Sequence, residues 1–216
     1  MKEYQQDFLQ VALKANILKY GTFTLNSGRV SPYFFNAGLF CNGPLLNSLA
    51  SAYSSSIIEE LSDLEYDIVF GPAYKGIPLA VSTVIKLCER GKDVSYSFNR
   101  KEPKDHGEGG TIVGASLKDK RVLIIDDVLT SGKAIREAFT IIEQAGGKVV
   151  AVVVAVDRCE QVREGGKSAI GSLKAEKNIP VHAIISVHDI IDFTESQVGK
   201  DEANRLKEYQ SRYGAE

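Results

Sequence analysis

Residues 122–134, Val-Leu-Ile-Ile-Asp-Asp-Val-Leu-Thr-Ser-Gly-Lys-Ala, constrain this chain more than any other stretch. Val122 to Ile125 form a short apolar run without alternation, the pattern of a strand buried on both faces. Asp126 and Asp127 stand where that strand is expected to end. A helical pattern opens at Ala134, Ile135 and Ala138. Backbone N–H groups at such a helix start can receive a phosphate, aided by the helix dipole and by the hydroxyls of Thr130 and Ser131. Two adjacent carboxylates can accept hydrogen bonds from vicinal hydroxyls, and a phosphate beside a diol outlines a ribose 5-phosphate. An ordinary buried strand with an acidic N-cap would explain one aspartate, but not both together with the Thr-Ser-Gly turn.

This stretch resembles the signature of the type I phosphoribosyltransferases, a hydrophobic run followed by Asp-Asp-x-x-Thr-x-Gly. The resemblance implies an α/β fold in which a parallel sheet is flanked by helices, with a small N-terminal flap or hood. It implies 5-phosphoribosyl 1-diphosphate (PRPP) as a substrate. The 5-phosphate would lie on Val128, Leu129, Thr130, Ser131, Gly132, Lys133 and Ala134, and the ribose hydroxyls on Asp126 and Asp127.

A chain of 216 residues suits one domain, here 1–216, whose hood would comprise mainly about residues 1–40, with room for C-terminal elements to add to it. Its 44% hydrophobic and 25% charged residues are ordinary for a globular protein. A net charge of −2 gives no support to nucleic-acid binding, so a phosphate site must be built from local cations and helix ends. No apolar run approaches the roughly 18 residues that span a bilayer, and the first residues, Met1-Lys-Glu-Tyr-Gln-Gln-Asp, carry charge where a signal peptide would be apolar. Cys41, Cys88 and Cys159 are odd in number and widely spaced. They read as small buried or half-buried residues in a reducing compartment, the cytoplasm.

In chain order, the spacing predicts an amphipathic helix over 3–19, stopped at Gly21. Phe23–Leu25 and Tyr33–Phe35 read as short strands joined by the turn 26–29. A helix over 44–61, a strand at 67–70 and a helix over 77–88 follow, then a strand at 94–98. Residues 99–116 hold almost nothing apolar and read as a long loop. After the 122–125 strand and its helix, Gly146 and Gly147 mark a stop. Val149–Val156 is the longest β-branched run and reads as a central strand. A helix at 168–177, a strand at 181–186, a mixed segment and a helix at 201–213 complete the chain. Alternating strands and helices predict a parallel sheet with ligands at the strand C-termini.

Three further stretches fall at such ends. Gly71-Pro-Ala-Tyr-Lys-Gly76 has glycines that let the backbone bend toward an anion, with Lys75 at its tip. In the resembled family the equivalent loop, here with Tyr74 and Lys75, holds the diphosphate of PRPP. Arg100, Lys101, Lys104 and His106 lie beside Gly107, Gly109 and Gly110, a composition suited to a cationic lid that screens a departing diphosphate and excludes water. Together with Ser31-Pro-Tyr-Phe-Phe-Asn36, these stretches imply a member of the family acting on an acidic pyrimidine, orotate. Phe34 and Phe35 would line the base pocket with Thr130 beside them. Arg158, at the end of the 149–156 run, would pair with the base carboxylate as a bidentate fork.

The same resemblance implies a homodimer whose lid reaches into the neighbouring site. It departs from this chain at Asn26, where a lysine is usual, and at Lys133, where a small residue is common. Magnesium should arrive on the diphosphate and keep much of its water, without direct protein ligands. Lys104, Asp126 and Asp127 would carry the chemistry through positioning and electrostatics. The alternatives are a PRPP-binding regulatory protein of the same fold and a phosphoribosyltransferase for purine bases.

Overall fold

The computed structural model describes residues 1–25, 27–104, 110–129 and 132–215, with the side chains of 103 and 104 outside that set. Helix α1, Glu3–Lys14, buries Phe8, Leu9 and Ala12. It ends earlier than the 3–19 expected, because Asn16 takes a positive φ of 56° and Ile17 N–H reaches back to Ala12 O at 2.8 Å. That geometry turns the chain out of the helix, and asparagine tolerates it better than most residues. Leu18 therefore opens strand β1, Leu18–Thr24, which pairs antiparallel with β2, Val30–Phe35. Gly21 sits inside β1 at its register shift rather than beyond a helix.

Helix α2, Gly43–Glu60, is followed by β3, Ile68–Gly71, and α3, Gly76–Glu89. Strand β4, Ser95–Lys104, turns back as β5, Gly110–Gly114, in an antiparallel pair. The stretch read as a loop over 99–116 is thus largely an edge hairpin. Strand β6, Arg121–Val128, leads to α4, Lys133–Gln144, then β7, Lys148–Asp157, and α5, Ala169–Lys177. Strand β8, Val181–Ser186, precedes α6, Val187–Gln197, which occupies the segment left as mixed, and α7, Lys200–Tyr213.

The main sheet has the order β5-β4-β3-β6-β7-β8 and is parallel except for β5 at its edge. Period-two alternation buries both faces. Leu123 and Ile125 of β6 join a core with Leu49, Tyr53 and Ile57 of α2, Leu79 and Leu87 of α3, and Ile190 of α6. Val122 and Ile124 join the other core with Ile135, Phe139 and Ile142 of α4 and Leu173 of α5. The β1–β2 ribbon packs through Leu18, Tyr33 and Phe35 into the first of these cores.

The order of strands fixes where a ligand can go. From β3 the chain moves outward to β4, then returns to form β6 on the other side of β3. Loops leaving the carboxyl ends of β3 and β6 therefore diverge and open a crevice between them. No helix among the described residues is long and apolar enough to cross a membrane. Cys41 and Cys88 are exposed, contrary to the burial expected of them, and only Cys159 is half-buried.

Candidate active site

Two glycines shape the β3–α3 loop. A Cβ on Gly71 would lie 1.9 Å from the carbonyl oxygen of Gly76, and one on Gly76 would lie 2.6 Å from the carbonyl carbon of Gly71. No side chain fits either position, so the loop closes on itself and projects Tyr74 and Lys75 outward. The Ala73 N–H donates to Asn99 Oδ1 at 3.0 Å, tying the loop to β4. Asn99 is buried and plays a positioning part that its place at the head of a charged segment did not reveal.

Across the crevice, β6 continues through both carboxylates to Val128 rather than stopping before them. Each folds onto the next amide: Asp127 N–H donates to Asp126 Oδ1 at 2.9 Å, and Val128 N–H to Asp127 Oδ1 at 2.8 Å. Tyr53, fully buried in α2, donates its hydroxyl to the Asp126 carbonyl at 2.7 Å and pins the strand end from below. Burial, and then the charge of Asp127, raise the Asp126 carboxyl to about 6. Lys75 Nζ meets Asp127 Oδ2 at 2.7 Å, and that hydrogen bond raises the lysine. The β3–α3 loop thus touches the end of β6 through this ion pair.

Gly132 caps α4 in the left-handed conformation, with φ of 71°, and offers no side-chain cap. The first intrahelical bond is Arg136 N–H to Gly132 O, so the amides of Lys133, Ala134 and Ile135 open the helix without intrahelical partners. A cavity of about 410 Å³ lies there, lined by Asp126, Val128, Leu129, Gly132, Lys133, Ala134, Ile135 and Glu137 together with Lys101 of the hairpin. Thr130 and Ser131, expected beside the phosphate, lie outside the described residues, as do Asn26 and His106 and the side chain of Lys104. Arg100 Nη1 donates across the hairpin to Gly110 O at 3.2 Å.

The base-site expectations divide. Neighbours on a strand face opposite ways, so Phe34 and Phe35 cannot both present their rings to a ligand. Phe35 turns into the core against Phe8 and Phe40, and only Phe34, stacked on Phe23, is exposed. Phe35 is a core residue that can offer a ligand only its backbone. Arg158 sits just past β7, half-buried, with its guanidinium over the Tyr33 ring at 4.3 Å and Nη2 donating to Ser31 Oγ at 3.1 Å. It also pairs with Glu160 at 2.7 Å. The fold therefore joins Arg158 to the Ser31-Pro-Tyr segment, although 127 residues separate Arg158 from Ser31. Burial pushes the Cys159 thiol up to about 12, which leaves it unreactive.

A parallel sheet whose switch point carries two carboxylates, a phosphate-ready helix start and a pinched basic loop defines a phosphoribosyltransferase. The phosphoribosyl transferase domain matches residues 42–188. An orotate phosphoribosyltransferase of Kluyveromyces lactis is 50% identical over 222 residues, covering 100% of this chain and 97% of that one. One from Stenotrophomonas maltophilia is 50% identical, covering 99% and 98%. A crystal structure of the Francisella tularensis orotate phosphoribosyltransferase superposes with a TM-score of 0.87 at 41% identity, covering 96% and 99%. The chain belongs to the phosphoribosyltransferases and, among them, to the family of orotate phosphoribosyltransferases.

Proposed function

We propose that this enzyme transfers the 5-phosphoribosyl group of PRPP to orotate, giving orotidine 5′-monophosphate and diphosphate for pyrimidine biosynthesis. The observation that carries the base assignment is the half-buried guanidinium of Arg158, set against Ser31 and the Tyr33 ring at the carboxyl edge of the same sheet. A planar fork there suits a carboxylate on a flat ring, which orotate has and uracil and the purines lack.

The reaction follows from positions. A ring nitrogen of the base bonds to C1′ as the C1′–O bond to diphosphate breaks. The diphosphate leaves with the electron pair, and the base gives up its N–H proton. Positive charge gathers on the ribosyl carbon as in other glycosyl transfers. Asp126 and Asp127 hold the ribose hydroxyls on the side where that charge grows, and the amides of the α4 start hold the 5-phosphate. Lys75 and Lys101, with Arg100, Lys104 and His106, offset the charge of the leaving diphosphate.

Magnesium carried by the diphosphate would neutralise part of that charge. Two adjacent carboxylates beside a phosphate-ready helix start suit a cation that keeps most of its water. We further propose a homodimer in which each hairpin serves the neighbouring site, working in the cytoplasm, where three unpaired cysteines are at home.

Orotate consumption followed by ultraviolet absorbance, with PRPP and magnesium, tests the reading. Turnover should require orotate and magnesium and fail with uracil or hypoxanthine. PRPP binding without turnover of any base would point instead to a regulatory protein, and turnover of hypoxanthine to a purine enzyme.

A further inference from the structure

Three charged side chains meet at the end of β7, and their sum is not zero. Glu160 gives one carboxylate oxygen to Arg158, 2.7 Å away, and the other to Arg29, 3.2 Å away. All three are largely covered, with side-chain exposures of 15% for Arg158, 13% for Glu160 and 22% for Arg29. Asp157 does not enter the balance. Its Oδ1 accepts the Cys159 N–H at 2.8 Å, and it makes no ion pair among the described residues. The neighbours Ser31, Tyr33 and Tyr209 are neutral, since burial pushes both phenols above their usual range. Among the described residues two guanidiniums therefore share one carboxylate, and the described part of the cluster is left one negative charge short.

We propose that Arg29 and Glu160 set the specificity of the base site by leaving Arg158 one uncompensated positive charge, matched to a single carboxylate on the incoming base. The inference rests on the proposed function and deepens it. A lone Arg158–Glu160 pair would already be neutral and would gain little from a third charge. A lone arginine would be costly to cover. Arg29 changes the balance by drawing half of Glu160 away, so a base carboxylate completes a two-plus-two set, and an uncharged pyrimidine leaves it incomplete.

Glu160 is also held where it stands. Its backbone bridges to Gly214, Gln161 N–H donates to Tyr213 O at 2.9 Å, and Ala215 N–H to Cys159 O at 2.8 Å. Arg29 lies over the Tyr213 ring at 5.0 Å and donates to Gln161 O at 2.8 Å. The C-terminal turn thus clamps the loop after β7 onto the end of the β1–β2 ribbon. Arg29 and Glu160 are positioning residues that act through Arg158.

The test is charge arithmetic in the intact enzyme. Arg29→Gln makes the cluster neutral and should raise the KM for orotate on the order of tenfold, with the KM for PRPP unchanged. Adding Glu160→Gln to that variant restores the single unmatched charge and should bring the orotate KM back to within about threefold of wild type. Mere damage to the fold would raise both KM values and raise them further in the double variant, whereas the proposal has the double variant recover its orotate KM even though its lone half-buried Arg158 lowers the melting temperature. An unchanged orotate KM in Arg29→Gln, or a double variant no better than the single, would overturn the proposal. A wild-type enzyme that ignores orotate would instead overturn the function itself, before any variant is read.

Discussion

Lys75 Nζ lies 2.7 Å from Asp127 Oδ2, so the cation proposed for the diphosphate and the carboxylate proposed for the ribose hold each other across the crevice. The lysine side chain is 68% exposed, and an ion pair so open to water is worth little. On the proposed function, PRPP would separate the two at small cost, its diphosphate taking Lys75 and its hydroxyls taking Asp127. Lys75→Met should lower kcat/KM for PRPP about a hundredfold, the scale seen when one donor to a developing anion is removed. Steady-state kinetics checks this, and an unaltered kcat/KM would place Lys75 outside the site.

Asp126 predicts two opposite responses to pH. Its carboxyl titrates near 6 in the fold, raised first by burial and then by Asp127, against about 4 in an unfolded chain. Between those values the native state holds the extra proton, so this group's contribution to stability falls as pH rises from about 4 to 6 and stays lost above 6. Asp126→Asn should accordingly stabilise the free enzyme by about 2 kcal/mol at pH 7, a gap that closes toward pH 4. Activity runs the other way. The neutral acid cannot offset ribosyl charge, so kcat/KM should fall roughly tenfold per pH unit below about 6. Paired denaturation and rate profiles, with and without Asp126→Asn, read both slopes.

The sequence revealed the β6 signature because burial on both faces and a helix start leave local marks: an unbroken apolar run, then small polar residues. The boundaries it missed are set by contacts that leave no period. In α1 the apolar spacing runs on through Ala15 to Leu18, and only the positive φ of Asn16 ends the helix. The hairpin alternates Tyr96 and Phe98 only at its start, and from Arg100 to Lys104 it is Arg, Lys, Glu and Pro, so no apolar alternation marks its continuation. Helix α6 carries Val187, Ile190, Ile191 and Phe193 at helical spacing, so this helix is marked in the sequence itself. Within the site, Tyr53 lies on the buried face of α2, and only the fold shows its hydroxyl on the Asp126 carbonyl. Glu160, two residues from Arg158, is within reach of a sequence reading, but its contact with Arg29 leaves no mark there, since 131 residues separate the two.

Phe34 and Phe35 make a controlled pair, adjacent in sequence and opposite in environment. Phe35 packs between Phe8 and Phe40, so Phe35→Ala should cost about 3–5 kcal/mol of folding stability. Phe34 is exposed and, among the described residues, stacks on Phe23 alone, so Phe34→Ala should cost about 1 kcal/mol or less. Its effect should fall on the base instead, raising the orotate KM several-fold by removing an aromatic face from the pocket. Chemical denaturation and substrate titration separate the two outcomes. Equal stability losses would mean that the alternation of β2 does not hold.

The hairpin's allegiance can be decided by mixing two broken enzymes. Strand β4 carries Lys104 to its last pairing, opposite Gly110, and Lys101 lines the cavity beside Asp126. Lys104→Ala should lower kcat far more than it weakens PRPP binding, because a lid cation acts on charge that appears only as diphosphate leaves. Asp126→Asn should cripple the same reaction from the ribose side. If hairpins serve the neighbouring subunit of a two-fold dimer, each mixed dimer contains one site with both defects and one with neither. Equal mixing and refolding should then restore about a quarter of wild-type activity, half of the dimers being mixed and half of their sites intact. If each hairpin closes over its own chain, every site keeps one defect and the mixture stays as slow as its parts.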